Sequence, residues 1–140
     1  MWEVGPLTIA LYDDVFALWE RTEGVGLDED ADSREGINAY LARNPGMSFV
    51  ALADGKVVAA VLGGHDGRRG YIHHLAVHPR FRRQNVARTL VQHCLDAFGR
   101  EGIRKSHIFI FHANAEGADF WKSVGWTARS SLSIMSKDIP

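Results

Sequence analysis

The sequence predicts an α/β (α+β) fold, a mixed and mostly antiparallel sheet of about six to seven strands flanked by about four helices. Two observations carry that reading. Apolar, β-rich runs at residues 48–53 and 56–63 are separated by Asp54-Gly55, a dipeptide that favours the tight type I′ hairpin. Further along, an apolar run at 71–77 passes through a basic turn into an amphipathic helix and then into a second apolar run at 106–111. Strand, crossover helix and strand make a β-α-β unit with parallel strands, and the nearly unbroken apolarity of 106–111 predicts burial on both of its faces.

The remaining elements follow in chain order. Residues 7–11 form a short apolar run that suits a first strand, and Asp13 or Asp14 then offers a cap for a helix through about Arg21. Ser33 opens a second helix, on which Ile37, Tyr40 and Leu41 recur at helical spacing until Asn44-Pro45-Gly46 ends it. Between the two helices, residues 24–32 read as an exposed acidic loop. A glycine-rich turn at 65–70 returns the chain into the 71–77 strand and completes an antiparallel meander. Val86, Leu90, Cys94 and Phe98 fall on one stripe of the third helix, which Gly99 and Gly102 punctuate. Asn114 can cap a last helix carrying Ala118, Trp121 and Val124, stopped by Gly125, and residues 126–127 and 131–136 suit a closing hairpin.

A chain of 140 residues fits a single domain over 1–140 that buries roughly two-thirds of its unfolded surface. Cys94 is the only cysteine, so no internal disulfide can form, which suits a reducing cytoplasm; its place on the apolar stripe makes it a core residue. Sixteen basic and seventeen acidic side chains nearly cancel, giving no general attraction to nucleic acid or an anionic membrane. No apolar run approaches the roughly 20 residues needed to cross a bilayer, and Met1-Trp2-Glu3 lacks the basic start of a secretory signal. The protein therefore reads as soluble and cytoplasmic. Acidic residues Asp28, Glu29, Asp30 and Asp32 crowd the first third, as a solvated face or as a rim that attracts a cationic substrate. Seven histidines occur without H-E-x-x-H or Cys-x-x-Cys spacing, so no metal site is expected. Nucleophile-elbow and phosphate-loop motifs are absent as well.

The densest chemical signal is Leu75-Ala76-Val77-His78-Pro79-Arg80-Phe81-Arg82-Arg83-Gln84-Asn85-Val86-Ala87-Arg88. Here the free amides of a helix's first turn lie among Arg82, Arg83 and Arg88, an arrangement that favours a pyrophosphate over an uncharged ligand. A nucleic-acid-binding module using Arg80 to Arg88 is the weaker reading, because no aromatic stacking platform accompanies the arginines.

The same stretch resembles motif A of the GNAT superfamily of acetyl-CoA-dependent N-acetyltransferases, whose pyrophosphate loop reads Q/R-x-x-G-x-G/A. Arg82 and Ala87 match its first and last positions, and Asn85 stands where the family usually has glycine. Asparagine tolerates positive φ better than other side chains and can also cap a helix, so a turn of nearly the same shape is available. Residues 114–126 follow the family's N-x-x-A-x-x-F-Y-x-x-x-G-F pattern with Asn114, Phe120, Gly125 and Trp126 in register, while Gly117 replaces the alanine and Trp121 the tyrosine. The chain looks like the small single-domain bacterial members.

That resemblance implies a cleft in which Leu75, Ala76, Val77, Arg82, Arg83, Gln84, Asn85, Val86, Ala87, Arg88, Asn114 and Phe120 hold acetyl-CoA as cosubstrate. The amide near Ala76 would polarise the acetyl carbonyl. Acetyl would pass directly to a primary amine of a small molecule, peptide N-terminus or protein lysine, with no metal; a homodimer is compatible with this reading. A CoA-binding regulatory module with little turnover is the alternative that Asn85 and Trp121 suggest.

A lysine-like amine near pKa 10.4 must lose a proton to a base or a water relay before it attacks, and His73 or His74 could take it. Period-two alternation expects the two histidines on opposite faces of their strand. The resemblance favours His73, which matches the position of a carboxylate base in several relatives. It likewise puts Trp121 where many relatives carry a tyrosine that serves the departing sulfur; indole N–H is a donor only, which implies reduced but real catalysis, and the other reading of Trp121 is a core residue at helical spacing with Ala118 and Val124.

Overall fold

Five strands form one sheet in sequence order: β1 (Glu3–Pro6), β2 (Phe49–Ala53), β3 (Lys56–His65), β4 (Gly70–Val77) and β5 (Ser106–His107). The first three pairings are antiparallel and the last, β4 with β5, is parallel. Four helices accompany them: α1 (Tyr12–Glu20), α2 (Arg34–Arg43), α3 (Val86–Arg100) and α4 (Ala115–Ser123). The computed structural model describes residues 1–140 and divides them into two units, Met1–Phe109 and Ile110–Pro140.

Local chemistry sets the meander of the first unit. Asp54 and Gly55 both take positive φ, 50° and 74°, as a type I′ turn requires, and Ala53 pairs with Lys56 across it. Both alternating sets of β3 side chains are buried, so both faces of the sheet are covered. Val50, Ala60, Leu62 and Ala76 pack with Val15, Trp19 and Ile37 of α1 and α2. The opposite face is left to α3, which packs along β2, β3 and β4 with Val86, Leu90, Cys94 and Phe98 buried as their spacing predicts. The strand-helix-strand crossover has the expected parallel sense.

Several elements differ from the sequence expectation. The first strand is Glu3–Pro6 rather than 7–11; Leu7 still joins the sheet through its N–H to the Ser48 carbonyl at 3.0 Å, but Ile9–Leu11 coils into a 3₁₀ turn leading into α1. A short apolar run does not distinguish a strand from a helical turn that buries the same side chains. Asp13 and Asp14 lie inside the first turn of α1, where carboxylates favour the helix dipole, and Leu11 at the N-cap makes no side-chain bond. Only Ser106 and His107 of the 106–111 run pair with β4, and Phe109 and Phe111 are 58% and 60% exposed. Residues 126–127 and 131–136 form no strands, which leaves five strands where six to seven were expected.

In the second unit Asn114 caps α4 as its sequence position predicts, its Oδ1 accepting the Gly117 N–H at 2.9 Å. A Cβ at Gly117 would lie within 2.8 Å of the Asn114 side chain, so this cap suits glycine where the family pattern has alanine. Trp121 is buried and meets Phe120 and Trp126 edge to face at 5.3 and 5.0 Å.

Candidate active site

The loop before α3 supplies an open helix end. Arg83 and Asn85 both take left-handed backbone with φ of 63°, and Asn85 is the N-cap residue of α3. Asparagine thus fills the conformational role of glycine, but its side chain makes no capping bond. The first amide held within the helix is that of Thr89, bonded to the Asn85 carbonyl at 3.0 Å. The N–H groups of Val86, Ala87 and Arg88 therefore lack an acceptor in the helix ladder, at the positive end of a 15-residue dipole. Arg80, Arg82, Gln84 and Arg88 are exposed around it, with the Gln84 amide tied to the Arg80 carbonyl at 3.2 Å. Free amides, left-handed turns and guanidinium groups fit a diphosphate.

Above this loop, β4 loses its neighbour. Gly70 and Tyr71 pair with Ser106 and His107, whereas β4 continues from Ile72 to Val77 with no β5 partner. Gly70 sits at the root of the opening because Phe98 of α3 packs on it: a Cβ there would lie 2.6 Å from the ring. Leu75, Ala76 and Val77 occupy this one-sided stretch, whose backbone edge makes no ladder to β5.

The β4 strand also bulges. Ala76 pairs with Ala60 and His73 with Leu62, so three steps along β4 answer two along β3, and His74 absorbs the extra residue at φ 55°. The bulge overturns the expected alternation: the His73 and His74 rings are neighbours, with centroids 6.4 Å apart. His73 stacks on Tyr71 at 6.3 Å and meets Tyr40 and Phe109 at 6.3 and 6.2 Å. Burial among these rings, reinforced by His74, holds its pKa below the ordinary 6.5. Tyr40 is pushed up to about 12 by burial, so it stays a neutral phenol.

His74 has a different environment. Its Nε2 lies 2.9 Å from Asp32 Oδ1. Its carbonyl accepts the indole N–H of Trp19 at 2.8 Å, and Trp19 also meets its ring edge to face at 5.0 Å. Asp32 is 5% exposed, which corrects the reading of 24–32 as a wholly exposed loop. Nothing local distinguishes Asp32 from Asp28, Glu29 and Asp30; only the folded chain brings it to His74 across 42 positions. Tyr12, Phe16, Leu27, Asp28, Asp32 and Arg34 line an open cavity of about 410 Å³ beside it. No group of three or more histidine, cysteine or acidic side chains is arranged to hold a metal, and no helix is long and apolar enough to cross a membrane.

The structure thus gathers His73, Leu75, Ala76 and Val77 on the free edge of β4, and the 82–88 residues at the start of α3. Asn114, Phe120 and Trp121 belong to the second unit.

The profile of the Acetyltransferase (GNAT) family matches residues 11–126. The chain belongs to this family. It is 31% identical over 103 residues to an acetyltransferase of Pectobacterium atrosepticum, covering 74% of this chain and 72% of that one. An acetyltransferase of Photorhabdus laumondii is 37% identical over 82 residues, which span 57% of this chain and 54% of the relative. Among solved structures, the PaiA N-acetyltransferase of Thermoplasma acidophilum, in complex with coenzyme A, superposes with a TM-score of 0.80 at 15% identity, over 92% of this chain and 91% of that one. The fold is the GNAT fold, and this GNAT protein is an acyltransferase.

Proposed function

We propose that residues 1–140 serve as one catalytic domain that transfers acetyl from acetyl-CoA directly to a primary amine, with His73 taking the amine proton. One observation carries the reading: from Ile72 to Val77 β4 pairs with β3 but has no β5 partner on its other edge, and it leads through the loop to the uncapped start of α3. An extended thioester cosubstrate needs such a path, a backbone edge for its amide-bearing arm and an amide cradle for its diphosphate. Family membership adds the acetyl group.

In the proposed reaction the neutral amine attacks the thioester carbon, and the carbonyl oxygen gathers charge toward the amide near Ala76. His73 accepts the proton lost by nitrogen; its depressed pKa keeps it neutral and able to do so at pH 7. The tetrahedral intermediate collapses by breaking the carbon–sulfur bond, releasing CoA thiolate, a fair leaving group because a thiol ionises near about pH 8.5. Asp28 and Glu29, facing the single cation Arg34 on the cavity beside Asp32, favour a cationic acceptor, and the apolar surface of Phe16 and Leu27 favours one with an organic body.

A panel of primary amines incubated with acetyl-CoA, with free thiol followed, tests the proposal. Thiol release that depends on a primary amine and yields an equal amount of its amide supports it. Thiol release without amide formation refutes direct transfer.

A further inference from the structure

One buried acid remains unused by this chemistry. The Asp32 carboxylate is engaged at both oxygens: Oδ1 meets His74 Nε2 at 2.9 Å, and Oδ2 accepts the Asp28 N–H at 2.8 Å. Its carbonyl accepts the Tyr12 hydroxyl at 2.6 Å, so the residue is anchored to α1 as well. His74, at the other end of the bond, is the left-handed residue of the β4 bulge, and Trp19 grips its carbonyl. That conformation is uncommon for a residue with a side chain, so contacts that hold it matter. Here one side chain from the α1–α2 connection holds the ring, and one fully buried indole holds the backbone.

We propose that Asp32 is a positioning residue for acetyl transfer: by binding the His74 imidazole it holds the β4 bulge, and with it the Leu75 and Ala76 peptide groups and the adjacent His73 ring, in reacting geometry. The proposal rests on the reading that the free edge of β4 is where acetyl is transferred. The carboxylate accepts the Nε2 proton and so fixes the ring's orientation. Asp32 also borders the cavity that includes Tyr12 and Phe16, so its bond to His74 links the wall of that cavity to the bulge, beside the Trp19 bond from α1. Small displacements at a reacting centre cost rate far more than they cost cofactor affinity, because the barrier depends steeply on alignment.

A double-mutant cycle tests the coupling in the full chain. Asp32→Ala removes the acceptor. His74→Asn tolerates the left-handed backbone but is too short to bridge the gap. Each single variant is expected to lower kcat at least about tenfold while the acetyl-CoA Kd stays within about twofold, and the double variant to be no more than about threefold slower than the slower single. Amide ¹⁵N resonances of Leu75 and Ala76 should move in both single variants. That measurement needs no acceptor, so it tests the hold on the bulge even if the wild type acetylates no amine, the outcome that would instead sink the proposed function. Wild-type kcat in either folded single variant overturns the proposal, as do single-variant effects that multiply in the double or resonances that stay in place. Should Asp32→Ala not fold, His74→Asn decides alone on the same two readouts.

Discussion

Asn85 offers a direct test of how the loop before α3 is held. Its backbone is left-handed, φ 63° and ψ 17°, and its side chain makes no capping bond, so replacement removes no capping hydrogen bond and changes chiefly the ease of that conformation. For a residue with a Cβ the left-handed region costs roughly 1–2 kcal/mol, and asparagine is among the few that visit it routinely. Asn85→Ala should therefore destabilise the fold by about 1 kcal/mol, about 4 °C in Tm for a chain of this length. Asn85→Gly removes the steric cost but adds roughly 0.5–1 kcal/mol of unfolded-chain entropy, so the two effects nearly cancel. Binding separates them further. If the alanine loop relaxes when free, the same 1 kcal/mol reappears on closing around the diphosphate and weakens acetyl-CoA up to about fivefold. The glycine variant keeps the loop shape with less bulk and should bind equally well or more tightly. Urea denaturation and titration calorimetry on the three proteins measure both quantities. An alanine variant equal to wild type in stability and affinity would refute the argument, as would weaker binding by the glycine variant.

Gly36 of α2 faces the loop that ends in Asp32: a Cβ there would lie 2.5 Å from the Ala31 carbonyl oxygen and closer still to that of Asp30. Gly36→Ala gains at most about 1 kcal/mol of helix propensity against roughly 1–3 kcal/mol of overpacking, so denaturation should show a net loss of about 1 kcal/mol, and a stabilised variant would contradict the packing. His73→Ala should lower turnover about a hundredfold with acetyl-CoA affinity nearly unchanged. Because burial disfavours the imidazolium, His73 loses its proton below 6.5, so the wild-type rate should hold as pH falls through 6.5 and decline only at lower pH; a decline centred at or above 6.5 counts against His73 as the base. Trp121→Phe should slow turnover without weakening the cosubstrate, and Trp121→Tyr should preserve or raise it; full activity in the phenylalanine variant removes any role for the indole N–H. Cys94 is buried on α3 with its thiol pushed up to about 12, so alkylation at pH 8 should require unfolding, and rapid labelling of the native protein would show otherwise.

The sequence by itself determined what depends on local chemistry. Asp54-Gly55 dictated a hairpin because both residues accept positive φ. Ser33 and Asn114 marked helix starts because each oxygen reaches an amide three residues on, Gly36 and Gly117, at 3.0 and 2.9 Å. The stripe from Val86 to Phe98 fixed which face of α3 is buried, and the motif at 82–87 located its uncapped start. Tertiary structure decided whatever depends on partners far away in sequence. Apolar composition at 7–11 and 106–111 was compatible with strands, yet a strand also needs a paired neighbour, which Ile9–Leu11 and Phe109 lack. The bulge that brings the two histidine rings together follows from the register between β3 and β4, a property of two strands that neither specifies alone. Asp32 was one acid among several until folding buried it against His74, because a carboxylate's environment is set by what surrounds it in space.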